Sequence, residues 1–160
     1  MAVFRKRSNL LLTIVLIAVV VLGGFGFYSL FKRVDKLEPT KTVSSSAYTR
    51  GLLDDTTGKL PRDSEDIDYS GIHMKDYINA DGLTCEIAEK AKIRYEINFF
   101  DEDYHFISVS KKTTDYAGDE NPEGAVFALI EIIPTAEPDG IVSSNEVSKY
   151  AKLLTVTYNK

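Results

Sequence analysis

The sequence predicts a mainly β protein: a β-sandwich domain carried behind a single transmembrane α-helix. Three observations predict it. Residues 10–31, LLLTIVLIAVVVLGGFGFYSLF, form an uncharged run of 22. Residues 92–100, KIRYEINFF, alternate apolar and polar with a period of two. About seven or eight short segments with strand character follow one another between turn signals, the pattern of a sandwich rather than an α/β fold.

As a helix the apolar run reaches roughly 33 Å, against a hydrocarbon core of about 30 Å. Phe27, Tyr28 and Phe31 at one end resemble an interfacial belt. A cleaved signal peptide is the rival reading. Arg5, Lys6 and Arg7 supply its basic start, and Gly24-Phe25-Gly26 its small residues. The run exceeds the usual length of about 7–15 apolar residues and continues past Gly26, so a retained anchor is expected. Basic residues flank both ends, and the positive-inside rule selects neither topology. A short cytoplasmic tail (1–9) with the bulk exported is the simpler arrangement. It puts the protein in the cell membrane, single-pass, with an extracytoplasmic C-terminal domain. Residues 32–46, with Pro39 and Ser44-Ser45-Ser46, read as a linker. Residues 47–160 are enough for one compact domain.

Within that domain, Ser44–Gly51, Ile72–Asn79 and Leu83–Ala88 are short strands. Asp54–Ser70, rich in Asp and containing Gly58 and Pro61, is a long irregular connection. Lys92–Phe100 places Ile93, Tyr95, Ile97 and Phe99 on one face and Arg94, Glu96 and Asn98 on the other. Asp101-Glu102-Asp103 is a polar turn, with Asp101 bonding the backbone, and Tyr104–Ser110 returns as the second arm of a hairpin. Gly124–Ile133, apolar on both faces, suits a central strand that Pro134 stops. Ser144-Asn145-Glu146-Val147 caps a helix of about two turns, and Lys152–Tyr158 is the last strand.

From Glu38 onward 23 acidic residues face 13 basic ones, a net charge of about −10. Bulk charge therefore argues against nucleic acid or anionic lipid as a partner. Cys85 is the only cysteine, so a disulfide within the chain and a multi-cysteine zinc site are both excluded. It reads as a small buried hydrophobe, with a disulfide-linked dimer as the alternative.

Four segments occur in an order that carries a resemblance: YTRGLLDDTTGKL (48–60), HMKDYINADG (73–82), INFFDEDYHFIS (97–108) and NPEGAVFALIEI (121–132). Together they resemble the jelly-roll, carbohydrate-binding-module-like domains of bacterial surface, phage-tail and secreted proteins. The resemblance covers about 48–158 and implies a jelly-roll sandwich and binding of a glycan. The chain departs from those domains in having no tryptophan.

No enzyme is expected. His73 and His105, the only histidines, lie in strand-like segments, and no G-x-S-x-G turn is present. Carboxylates are abundant, but abundance is not arrangement. No cofactor is expected beyond a structural calcium ion. Asp66-Ile67-Asp68-Tyr69-Ser70-Gly71 approaches a calcium loop, departing at Ser70 and at Tyr77 where a closing Glu belongs; Asp66, Asp68 and Ser70 are its candidate ligands. For a sugar, Tyr69, Tyr104 and Tyr116 are the candidate platforms, as tyrosines in or beside loops with polar neighbours. The expected partners are the membrane, through 10–31, and a polysaccharide or cell-wall glycan. The alternative is a structural or protein-interaction domain that meets an envelope protein without binding sugar.

Overall fold

The computed structural model describes residues 40–62, 66–118, 120–135 and 140–160. The expected tail (1–9), transmembrane helix (10–31) and first part of the linker (32–39) lie outside them. Among the described residues no helix is long and apolar enough to cross a membrane. The domain is mainly β, with two antiparallel sheets and almost no helix.

The smaller sheet has the order β1-β9-β5, with β1 at Thr40–Thr42, β5 at Thr84–Ile87 and β9 at Leu154–Asn159. Its sequence alternates as a one-sided sheet should. Cys85, Ile87, Leu154 and Val156 are buried, while Glu86 and Thr155 are exposed. The larger sheet runs β2 (Tyr48–Arg50), β3 (Ile72–Met74), β8 (Phe127–Pro134), β6 (Ile93–Phe100), β7 (Phe106–Lys112). β4 (Ile78–Asn79) also pairs with β8. Between the sheets, Ile72, Tyr95, Ile97, Phe99, Ile130 and Ile132 pack against the buried face of the smaller one. Cys85 lies fully buried there, and burial pushes its thiol up to about 12. The small-hydrophobe reading describes it, and its sulfur is out of reach of another chain.

Several expectations need correction. β1 lies inside the stretch read as linker, because Thr40, Lys41 and Thr42 pair with Asn159, Tyr158 and Thr157. The stretch expected as one strand over 72–79 is broken at Lys75–Tyr77, where the register against β8 shifts by two residues between β3 and β4. The strand expected from Gly124 begins at Phe127, since Gly124 turns with φ +82°. The helix, α1 (Val147–Ala151), is shorter than two turns, and its cap starts one residue earlier. Ser143 Oγ donates to Glu146 Oε2 at 2.6 Å, and the same oxygen accepts the Ser143 N–H at 3.2 Å.

The hairpin matches its reading. Asp101 Oδ1 accepts the N–H groups of Asp103 (2.9 Å) and His105 (2.8 Å), holding the five-residue loop between Phe100 and Phe106. Tyr104 closes it at φ +62°, the one described non-glycine residue in the left-handed region.

The larger sheet is buried on both faces, and the 51–62 connection is the reason. It folds back over the face opposite the core, and Gly58 makes the approach close. Gly58 has φ +62°, and a Cβ there would stand 2.6 Å from Phe106 and 2.7 Å from Phe100.

Candidate functional site

On that covered face, direct cross-strand partners line up in one row: Lys111, Glu96, Glu131, His73 and Thr49, one each from β7, β6, β8, β3 and β2. The 51–55 strap crosses this row and is fastened at alternate residues. His73 Nδ1 donates to the Gly51 carbonyl at 2.7 Å, the Leu53 N–H donates to Glu131 Oε1, and Lys111 Nζ donates to Asp55 Oδ2 at 2.6 Å. Glu131 Oε2 accepts Asn98 Nδ2 at 2.6 Å. A cavity of about 200 Å³ beside the row is bounded by Leu53, Asp55, Arg94, Glu96, Lys111 and Glu131 among others.

The electrostatics follow from burial. Glu131 is 1% exposed, and loss of water pushes its carboxyl up to about 7 although two N–H donors favour the ionised form. The nearby charges of Glu96 and Asp55 push the same way. Burial also lowers His73, so its ring is neutral at pH 7, with the proton on Nδ1 because the Gly51 carbonyl can only accept. Chemically the row is a proton-sensitive clasp. A carboxyl that titrates near neutrality holds the backbone of a loop.

A second constellation forms a cleft of about 390 Å³. Arg50 of β2 sets its guanidinium over the Tyr69 ring, 4.7 Å from the centroid, and Lys75, Thr49 and Ser144 share the lining. Local folding fixes both partners. Arg50 pairs with Ile72 in the sheet, while the Tyr69 carbonyl accepts the Val142 N–H at 2.8 Å. The neighbouring Asp68 carbonyl accepts the Leu52 N–H at 2.8 Å. Lys75 Nζ donates to the Ser46 carbonyl at 2.9 Å, which aims its ammonium along the rim.

The candidate residues read from sequence fall in different places. Tyr69 lines this cleft, but Arg50 lies over its ring. Tyr104 is 46% exposed, stacked on Phe127 (4.5 Å, 7° between planes) and close to Tyr77 (4.9 Å). Tyr116 does not reach the surface: it is 4% exposed, bridges by backbone to Cys85, and its hydroxyl donates to Asn121. The three tyrosines therefore form no common platform. Of the calcium candidates, Asp68 Oδ1 accepts the Ser70 N–H at 2.8 Å, an ordinary turn contact. The described residues nowhere bring three or more His, Cys, Asp or Glu side chains into a metal-holding group.

Two features went unread in the sequence. Glu131 had a signal, as the only charge within GAVFALIEII, where a central strand has no water to offer it. Arg50 and Tyr69 had none, because their meeting depends on how the strap returns. Comparison with protein-family models, with curated proteins and with solved structures finds no match for the chain.

Proposed function

We propose that the chain is a membrane-anchored, non-catalytic surface binding module: a jelly-roll-type sandwich held outside the cell by residues 10–31, which takes a polysaccharide or cell-wall glycan in the Arg50–Tyr69 cleft. One observation carries the reading, the guanidinium held over an aromatic ring in a cleft of about 390 Å³ with hydroxyls around it. Recognition of a hydroxyl-rich ligand needs such convergent polar groups on a fixed frame. The Glu96–Glu131 pair is not assigned a catalytic part, since both Glu131 oxygens are occupied by protein donors beneath the strap. The test is a glycan array probed with the detergent-solubilised full chain. Binding that Arg50→Ala abolishes supports the module, and an array without a hit removes it.

A second reading, a protein-interaction domain of the cell envelope without sugar binding, is favoured by the exposed edge of Tyr77, Tyr104 and Val126 beside Phe127. Co-purification of a stoichiometric envelope protein, lost in Tyr104→Ala and retained in Arg50→Ala, selects it over the first.

A further inference from the structure

We infer that the Arg50 cleft selects an anionic saccharide, one bearing a carboxylate or a phosphate, and that Tyr69 is a positioning residue for Arg50 rather than the surface on which a sugar ring stacks. This rests on the reading of the cleft as a glycan site and names the ligand's chemistry.

The argument starts from the ring. A tyrosine serves as a sugar platform through an open face, and a face of Tyr69 already carries a guanidinium at 4.7 Å. Cation–π contact of this kind leaves the guanidinium's in-plane N–H groups directed away from the ring. No carboxylate pairs with Arg50 among the described residues. Those donors form a planar fork whose complement is a carboxylate or phosphate oxygen pair. Lys75, on the same cleft, uses one N–H on the Ser46 carbonyl and keeps two more for a ligand.

The lining is as informative as the two cations. Tyr48, Thr49, Ser144 and Val147 complete it, with no acidic side chain. In a domain carrying about ten more negative than positive charges, a two-cation cleft without a counter-carboxylate is a local exception. It leaves the positive charge for a ligand to neutralise. A neutral sugar would desolvate both cations and return only dipolar contacts, whereas an anion returns charge-assisted bonds about twice as strong. Thr49 and Ser144 are suited to the ligand's hydroxyls.

The experiment is equilibrium binding of the detergent-solubilised full chain to three polymers, polygalacturonate, poly(glycerol phosphate) and neutral dextran, with phosphatidylglycerol vesicles as a fourth arm. The expected result is binding to one or both anionic polymers and not to dextran. Affinity should fall several-fold between 50 and 200 mM salt, and Arg50→Gln and Lys75→Gln should each weaken it by about tenfold or more. The two anionic arms separate carboxylate from phosphate as the group read. Tyr69→Phe should retain binding, and Tyr69→Leu should weaken it, with Arg50→Lys failing to restore the fork. Far-UV circular dichroism and thermal melting check that each variant is folded, and Lys75→Glu, on the exposed rim, gives a charge reversal that does not depend on the Arg50 variants. Dextran bound as tightly as polygalacturonate, with Arg50→Ala abolishing both, would keep the glycan site and overturn its anionic selectivity. Binding to vesicles alone, or to nothing, overturns both.

Discussion

Glu131 shows how one residue can make a fold sensitive to pH. The native state holds a proton near Glu131 up to about pH 7, whereas the unfolded chain releases it near 4.5. Between those values the native state binds more protons, so this group's contribution to stability falls as pH rises through the window and is smallest above 7. At about 1.4 kcal/mol per pKa unit the change is on the order of 3 kcal/mol. His73 acts in the opposite sense: burial depresses it, and its contribution is present above its ordinary pKa and lost as pH falls. The difference between the wild-type protein and Glu131→Gln isolates the first effect. Urea unfolding at pH 5 and pH 8 should show the wild type losing relative stability at the higher pH; equal profiles would remove the assignment. Asn98 fits the same account. Its Oδ1 is buried without a partner while Nδ2 serves the carboxylate, and a half-turn of the amide offers that oxygen to a protonated Glu131.

At the scale of elements, the strap and the hairpin make separate predictions. Gly58→Ala places a Cβ against Phe106 and Phe100 in a backbone conformation that costs alanine extra strain. The expected destabilisation is about 2–4 kcal/mol by denaturant titration. Faster amide exchange at Leu53 would locate the damage in the strap. In the hairpin, Asp101→Ala removes the acceptor of two N–H groups and should lower the urea midpoint with the slope unchanged. Asp101→Asn, which keeps an oxygen in place, should recover most of the loss. The Asp101 carboxyl is held below its ordinary range, first by the His105 N–H. Its contribution is therefore present above the ordinary Asp pKa and fades as pH drops below it.

The hairpin was legible because its signals are local: alternation in 92–100, then Asp at a turn. Arg94, Glu96 and Asn98 were correctly placed on the face opposite Tyr95 and Ile97, yet Glu96 and Asn98 are buried. Alternation reports which residues share a face, while burial depends on what returns to cover it. The strap's GLL (51–53) is the apolar cue for that cover, and its aspartates hid it. Tyr116 was misplaced for a related reason: a tyrosine near a loop is exposed only if no strand claims it, and Cys85 does.

For the whole molecule, two sheets with one shared core account for the arrangement of sites. The larger sheet supplies both the clasp and Arg50, and the smaller one seals the other side. The membrane anchor belongs to this scale too. The full chain should sediment with membranes and be released by detergent but not by carbonate at high pH, with its amino end intact by mass spectrometry. An uncut chain in the aqueous fraction would remove the anchor from the proposal.

β1 has a mechanical consequence. Its three residues are all exposed and pair one by one with β9, starting at Thr40 opposite Asn159. Tension transmitted along the preceding chain loads that first pair alone, so β1 peels instead of shearing. Thr40–Val43, freed as far as the Val43 N–H bond to Val156, add about 13 Å of reach at roughly 3.3 Å per residue. A pull on the tether therefore lengthens it before it strains the hydrophobic interior.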